Sequence, residues 1–307
     1  MKYLNLTEGF NPFGATGKGL IEFESFFFNG GEPHIKIKES SFDKNKYTDV
    51  QVTSRLTSMD DFMMLVIASE ALSQIGYVGN KFLFIPYFPG ARQDRRMIAG
   101  EPLSVKVFAD IINDFGYDEI QTFDNHSDVS TALIENCTNT DNHKFVEYCI
   151  DSLYEEVEDD DFIIISPDAG ANKKAIKLNQ FLLKSRETKY EVPDLVKCDK
   201  TRNTTNGKIT GFEVYADDLK GKDCIIVDDI CDGGGTFIGL AEELKKKNAG
   251  DLYLIVSHGI FSKPLKSFKP FFKKIYTTDS WRSDFGWEQH ERDYTKLVEI
   301  VKFRDFR

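Results

Sequence analysis

A chain of 307 residues with 41% hydrophobic side chains is long enough for two α/β domains, and it has no apolar run of membrane-spanning length. Its formal net charge of −11 argues against nucleic-acid binding by bulk electrostatics; an anionic ligand would have to meet locally concentrated cations. The five cysteines, Cys137, Cys149, Cys198, Cys224 and Cys231, form no CxxC pair and no zinc spacing. Residues 1–5 lack the apolar core of a secretory leader, so the expectation is a cytoplasmic protein with reduced thiols.

In chain order, Phe23, Phe26, Phe27 and Phe28 form an aromatic cluster expected in the core or in a subunit contact. The apolar period of Phe62, Met63, Leu65, Val66, Leu72 and Ile75 predicts a helix over residues 60–76, stopped by Gly76. A strand is predicted over residues 81–86, after which Pro89 and Gly90 turn the chain out of the sheet. The segment that follows concentrates Arg92, Arg95 and Arg96, whose forked donors suit phosphate oxygens, with Gln93 and Asp94 able to orient them. Residues 103–115 read as a helix and 119–123 as a strand.

An acidic stretch over residues 155–161 reads as a solvated face and marks a boundary between halves, 1–150 and 151–307. Beyond it, strands are predicted over 162–166, 223–228 and 252–257, and helices over 172–184 and 237–248. Strand and helix alternate in both halves, so the fold class is α/β, with mainly parallel sheets flanked by helices.

The most informative stretch runs over residues 224–236. An apolar strand ends in Asp228 and Asp229, a loop containing Asp232, Gly233, Gly234 and Gly235 follows, and a helical pattern opens after Thr236. Three successive glycines predict positive φ and a concavity of N–H groups at a helix N-terminus, which favours phosphate. Carboxylates at the end of a strand can accept from vicinal hydroxyls, so the combination suits a polyol phosphate. Cys231 is not read as a nucleophile, because neighbouring carboxylates raise a thiol pKa.

This stretch resembles the phosphoribosyl-diphosphate binding motif of type I phosphoribosyltransferases. Residues 86–106, with the arginine segment followed by Gly100-Glu101-Pro102-Leu103-Ser104, resemble ribose-phosphate pyrophosphokinases. That resemblance runs from about residue 28 to residue 278 and implies two phosphoribosyltransferase-like domains: an ATP-side domain over 1–150, and one with the ribose-phosphate loop over 151–307. It implies Mg²⁺ as cofactor, ATP as co-substrate, a ribose 5-phosphate compound as acceptor, and a homo-oligomer. It places Phe28, Gly30, Glu32, Arg92, Gln93, Asp94, Arg95 and His126 on the ATP side, and His126 and Asp168 against the metal. It makes Lys200 and Arg202, in a flexible-loop segment, the catalytic cations. Asp168, Asp228, Asp229, Asp232, Gly233, Gly234, Gly235 and Thr236 fall on the ribose phosphate.

The chain departs from the family at Gly30, where Asp or Asn is usual, at Asn125, where an aliphatic residue is usual, at Ala171 and Asn172, and at Gly233, where a hydroxyl residue is usual. Other readings exist for single residues: His126 as a core histidine, Asp168 as a helix cap, Lys200 and Arg202 as solvated within a polar segment. At the level of function, Gly233 opens a rival in which the acceptor is larger, such as ADP-ribose. A phosphoribosyltransferase would not need the arginine segment or His126. A non-catalytic regulatory homologue would be expected to lose His126, Lys200 or Arg202, and all are present.

Overall fold

The computed structural model describes residues 1–156, 162–185, 193–202, 209–285, 294 and 296–306. The acidic stretch past Glu156, the polar segment 203–208 and His290 lie outside the described residues. The chain divides into two compact units, Met1–Asp141 and Asn142–Arg307.

The first unit contains β1 (Lys2–Asn5), β2 (Phe23–Phe27), β3 (Pro33–Ile37), β4 (Thr48–Thr53), α1 (Met59–Ser73), β5 (Val78–Phe84), α2 (Ser104–Asn113), β6 (Glu119–Phe123), α3 (Asp128–Leu133) and β7 (Cys137–Thr140). Five strands form a parallel sheet in the order β1-β4-β5-β6-β7, and β2 and β3 form a separate antiparallel hairpin. Helix α1 starts where a capping box allows it: Asp61 N–H donates to Ser58 Oγ (3.1 Å), and Ser58 N–H donates to the Asp61 carboxylate (2.9 Å). Two faces of α1 are buried, Phe62, Leu65 and Leu72 in the sheet core, and Met64 and Ala68 under Ile35 of the hairpin. The helix ends at Ser73, short of Gly76, which is not in the left-handed conformation and does not cap it.

The second unit contains α4 (His143–Glu156), β8 (Phe162–Ser166), α5 (Asn172–Ser185), β9 (Asp194–Arg202), β10 (Ile209–Val214), β11 (Asp223–Cys231), α6 (Gly235–Lys246), β12 (Leu252–Gly259), β13 (Lys274–Thr278), β14 (Val298–Val301) and α7 (Phe303–Phe306). Residue 150 thus lies inside α4. The sheet order is β10-β9-β8-β11-β12-β13-β14, parallel except for β10 against β9. From β8 the chain goes to one side, to β9, and then returns to β11 on the other. The gap between the carboxyl ends of β8 and β11 is therefore a topological switch point, where open parallel sheets bind ligands. Strands Phe162–Ser166 and Leu252–Gly259 are buried throughout, and each opens with an unbroken apolar run, 162–165 and 252–256, because both faces of these central strands are covered.

Candidate active site

On the first unit, β5 and β6 are neighbours, and the loops after them carry the arginine segment and His126. Gly90 has φ +73°, and a Cβ there would stand 3.0 Å from the Val105 nitrogen, so glycine lets the loop leave β5 against the start of α2. Gln93 N–H donates to Gly90 O (2.8 Å), and Arg92, Gln93 and Arg95 are exposed. Asp94 organises this loop: its side chain is only 8% exposed and accepts from Arg95 Nε at 3.1 Å. Burial alone would push the Asp94 carboxyl up; the Ser127 hydroxyl, Arg95 and, last, His126 hold it below its ordinary value. Asp94 thus orders the arginine loop through Arg95 and lies in the field of the His126 segment.

His126 is exposed, not a core histidine. The turn before it is fixed by Asp124 at φ +44° and by buried Asn125, whose N–H donates to Asn139 Oδ1 (3.0 Å) and whose Nδ2 donates to Thr122 Oγ1 (2.9 Å). The departure at Asn125 is therefore an anchor for the turn that presents His126. In the β2–β3 hairpin, Phe28 N–H donates to Glu32 O (2.9 Å), and a Cβ on Gly30 would stand 2.5 Å from a Glu32 carboxylate oxygen. Gly30 makes room for the Glu32 side chain. Phe23 packs against the core as expected, whereas Phe26, Phe27 and Phe28 are 49%, 46% and 53% exposed, which corrects the core half of the expectation for those three.

On the second unit, pairing of β8 with β11 stops at Ile226, so the edge of β11 facing β8 is open from Val227 onward. Asp228 and Asp229 sit on this open stretch. They do not end the strand, as the sequence suggested: β11 continues to Cys231, paired with β12. Asp229 N–H donates to Asp228 Oδ1 (2.9 Å), and buried Asp229 faces Lys174 Nζ at 3.6 Å. Burial pushes the Asp228 carboxyl well up, and the charges of Asp229 and Asp168 push it further. Three carboxylates therefore share one field at the switch point.

Asp168 follows β8. Its Oδ1 accepts from Ala171 N–H (3.0 Å), just before α5 begins, and its Oδ2 accepts from Lys200 Nζ. The capping role and the charged-site role coexist in one carboxylate. Burial would raise it, but Lys200 and the N–H groups of Ala171 and Gly170 hold it below its ordinary value. Lys200 lies on β9 rather than on a loop, paired across to Phe212 of β10. The two-residue period explains its direction: Val196 and Cys198 on the same face enter the core, and Lys200 continues that row to the end of the sheet. Arg202 is the last residue of β9. The flexible-loop expectation for Lys200 and Arg202 is thereby corrected, since ladder pairing with β10 holds both in a strand.

The loop from β11 to α6 departs from expectation in two details. Only Gly234 of the three glycines has positive φ, +75°, and α6 begins at Gly235 rather than at Phe237. A Cβ on Gly234 would stand 2.0 Å from Phe268 Cζ, so that ring occupies the space a side chain would need. No side chain caps α6, which leaves its first N–H groups, including those of Gly235 and Thr236, for a ligand. Asp232 Oδ1 accepts from Ser262 Oγ at 2.6 Å. The Cys231 thiol is fully buried and pushed up by burial first, then by Asp228 and Asp232.

Two residues escaped the sequence reading. Lys174 was legible in principle: Lys173 and Lys174 stand in the first turn of α5, where the helix dipole disfavours cations, so a compensating anion was implied. Lys263 carried no signal, because nothing in the sequence shows that its stem runs over Gly233. Of the proposed metal contacts, His126 belongs to the first unit and Asp168 to the second. Among the described residues, no group of three or more His, Cys, Asp or Glu side chains has metal-ligand geometry. No helix among them is long and apolar enough to cross a membrane.

Comparison with known proteins agrees with this layout. The N-terminal domain of ribose phosphate pyrophosphokinase matches residues 15–116, and the phosphoribosyl transferase domain matches residues 140–290. The chain is 31% identical over 275 residues to a ribose-phosphate pyrophosphokinase of Cereibacter sphaeroides, covering 85% of this chain and 74% of that one. A ribose-phosphate pyrophosphokinase of Pasteurella multocida is 29% identical over 236 residues, 76% of this chain and 70% of its own. In three dimensions the chain is similar to phosphoribosylpyrophosphate synthetase from Mycobacterium smegmatis, with TM-score 0.73 and 21% identity over 93% of this chain and 87% of that one. That likeness establishes the fold: two phosphoribosyltransferase-like domains.

Proposed function

The chain belongs to the ribose-phosphate pyrophosphokinase family and is an enzyme of that transferase type; from that premise we propose that it passes the β,γ-diphosphoryl group of ATP to the anomeric hydroxyl of a ribose 5-phosphate. The anomeric oxygen attacks the β-phosphorus, the bond from that phosphorus to the α-phosphate bridge oxygen breaks, and AMP leaves. The products are AMP and the 1-diphosphate, PRPP when the acceptor is ribose 5-phosphate. The observation that carries the reading is the switch point of the second unit. There the Asp228–Asp229 pair lies near a helix N-terminus without a side-chain cap, and the Lys200–Asp168 pair comes from β9 and the loop after β8.

In this reading Asp228 and Asp229 accept from the ribose hydroxyls, and the loop from Asp232 to Thr236 receives the 5-phosphate through backbone N–H groups. Arg92, Gln93, Arg95 and His126, organised by Asp94, bind the nucleotide, whose anionic phosphates suit forked guanidinium donors. Phe28, Gly30 and Glu32, on the hairpin, are assigned to the adenine side. Lys200 and Arg202 meet negative charge that develops on the transferring group. Mg²⁺ fits the donor chemistry, because Asp168 is a carboxylate held below its ordinary pKa and Asp228 lies in a field where added positive charge is favoured. Asp168 would hold it, and the ion would supply neutralisation of phosphate charge.

The test is product analysis with Mg–ATP and either ribose 5-phosphate or ADP-ribose. AMP formation that needs both Mg²⁺ and an acceptor is the expected result; ADP formation would exclude diphosphoryl transfer. A second reading, with ADP-ribose as acceptor, is favoured by Gly233, which puts no side chain of its own beside the phosphate position. Preferential turnover of ADP-ribose would select it.

The active form is proposed to be an oligomer, at least a dimer, through the hairpin that exposes Phe26, Phe27 and Phe28. Sedimentation at assay concentration should give a mass above that of one chain, reduced by Phe26→Ser. A fully active monomer would overturn this.

A further inference from the structure

The loop after β12 leans onto the loop after β11. Ile260 and Phe261 N–H groups both donate to Cys231 O (2.9 and 3.1 Å), Ser262 N–H donates to Asp232 O (3.1 Å), and Ser262 Oγ donates to Asp232 Oδ1 (2.6 Å). Phe261 is held at φ +46°, in the left-handed region that a bulky residue rarely adopts, with its ring buried on Phe268. A conformation of this cost persists where the surroundings over-determine it, and such sites cluster at ligand clamps. The product of this turn is the placement of Lys263. A Cβ built on Gly233 would stand 3.3 Å from Lys263 Cε and 3.4 Å from its Cδ, so the lysine stem runs across the position where the family carries a hydroxyl residue.

Charge gives the placement meaning. Asp228, Asp229 and Asp232 make this end of the unit acidic, whereas a helix N-terminus offers only about half a positive charge. Lys174 is committed to Asp229 and Lys200 to Asp168. Lys263 is exposed and makes no ion pair with a described residue. We propose that Lys263 is a specificity-determining residue of the acceptor site: its ammonium replaces the hydroxyl missing at position 233 and binds the 5′-phosphate of the acceptor. This rests on the reading of the Asp232–Thr236 loop as the phosphate loop. The ligand chemistry is the phosphate on a ribose 5′-oxygen, whether a terminal monoester or the first phosphate of a longer nucleotide.

The experiment is calorimetric titration of the full chain, without ATP, with ribose 5-phosphate, ADP-ribose and unphosphorylated ribose. Lys263→Met keeps the stem and removes the charge. It should bind the preferred phosphorylated acceptor about 10- to 100-fold more weakly, the range for one lost hydrogen bond to a charged group. Lys263→Arg should restore most of the affinity, and weak binding of ribose should not change. Gly233→Thr, whose side chain crowds the Lys263 stem, should weaken the same acceptor in wild type and change affinity less than threefold in the Lys263→Met background. Equal affinity of wild type and Lys263→Met would overturn the proposal while leaving the phosphate loop intact. Loss of affinity on Lys263→Met in this titration, together with no AMP formation by wild type in the separate product analysis with Mg–ATP, would keep Lys263 and refute diphosphoryl transfer. Failure of wild type to bind either phosphorylated acceptor would refute the phosphate loop and Lys263 with it.

Discussion

Lys200→Ala should lower kcat by about 10²–10³-fold, the cost of removing one preorganised donor to transition-state charge in other enzymes, while acceptor affinity changes little. Phosphoryl transfer involves little covalent work by the protein, so positioned cations carry much of the rate. Lys200 is suited to that role because β9 is held on both sides, by β8 and by β10, and because Asp168 fixes the end of its side chain. A purely structural role for the pair makes a different prediction. Removing Lys200 would then leave the Asp168 carboxylate partly buried without its cation, and the loss would appear in thermal stability and in KM together. The discriminating measurement is therefore the split between kcat and KM, with a melting curve for each variant. Arg202→Ala should show the same pattern. A variant of Lys200 with normal kcat and a lowered melting temperature would remove Lys200 from the chemistry.

Which parts of this molecule could be read from its sequence follows from what each segment buries. Strands β8 and β12 are buried on both faces, so each begins with an unbroken apolar run, and β8 was predicted to the residue. Strands β1, β2, β3, β4, β7, β9, β10, β13 and β14 escaped prediction. Strands β1, β7 and β14 are four residues long, and β9 reads Asp-Leu-Val-Lys-Cys-Asp-Lys-Thr-Arg, with more charged than apolar side chains. Their pairing is decided by sheet neighbours far away in sequence, which periodicity cannot detect. The strand position of Lys200 is decided in the same way, by pairing with Phe212 of β10, whereas the flexible-loop expectation came from the family resemblance.

The acid pair and the glycine loop were legible because strand, carboxylates, glycines and helix follow one another directly. What could not be read was the division of labour among the glycines. Gly233 faces the Lys263 stem, Gly234 faces the Phe268 ring, and nothing lies within 4 Å of a Cβ on Gly235. Partners 30 or more residues downstream decide which of three identical letters is irreplaceable. Asp94 is a similar case: its proximity to His126 depends on β5 and β6 being neighbours in the sheet.

Gly234→Ala should be the most destabilising single-methyl change in the phosphate loop, for two separate reasons. Its φ of +75° is a conformation that costs an L-residue about 1–2 kcal/mol. The new Cβ would also stand 2.0 Å from Phe268 Cζ, inside any allowed contact, and Phe268 is fully buried between Phe261 and Phe272. A ring in that setting moves only by repacking its neighbours, and overpacking costs about 1–3 kcal/mol. Together these give roughly 2–5 kcal/mol, a large part of the total stability of about 5–15 kcal/mol for a domain. For a unit of this size the melting temperature should fall by about 10 °C. Gly235→Ala is the internal control, since its Cβ meets nothing within 4 Å and its φ is not left-handed; its melting temperature should stay within about 2 °C of wild type. Scanning calorimetry on the two variants compares the same added methyl at adjacent positions. Equal melting temperatures for Gly234→Ala and Gly235→Ala would mean that Phe268 yields freely, and the loop would then owe its shape to something other than that ring.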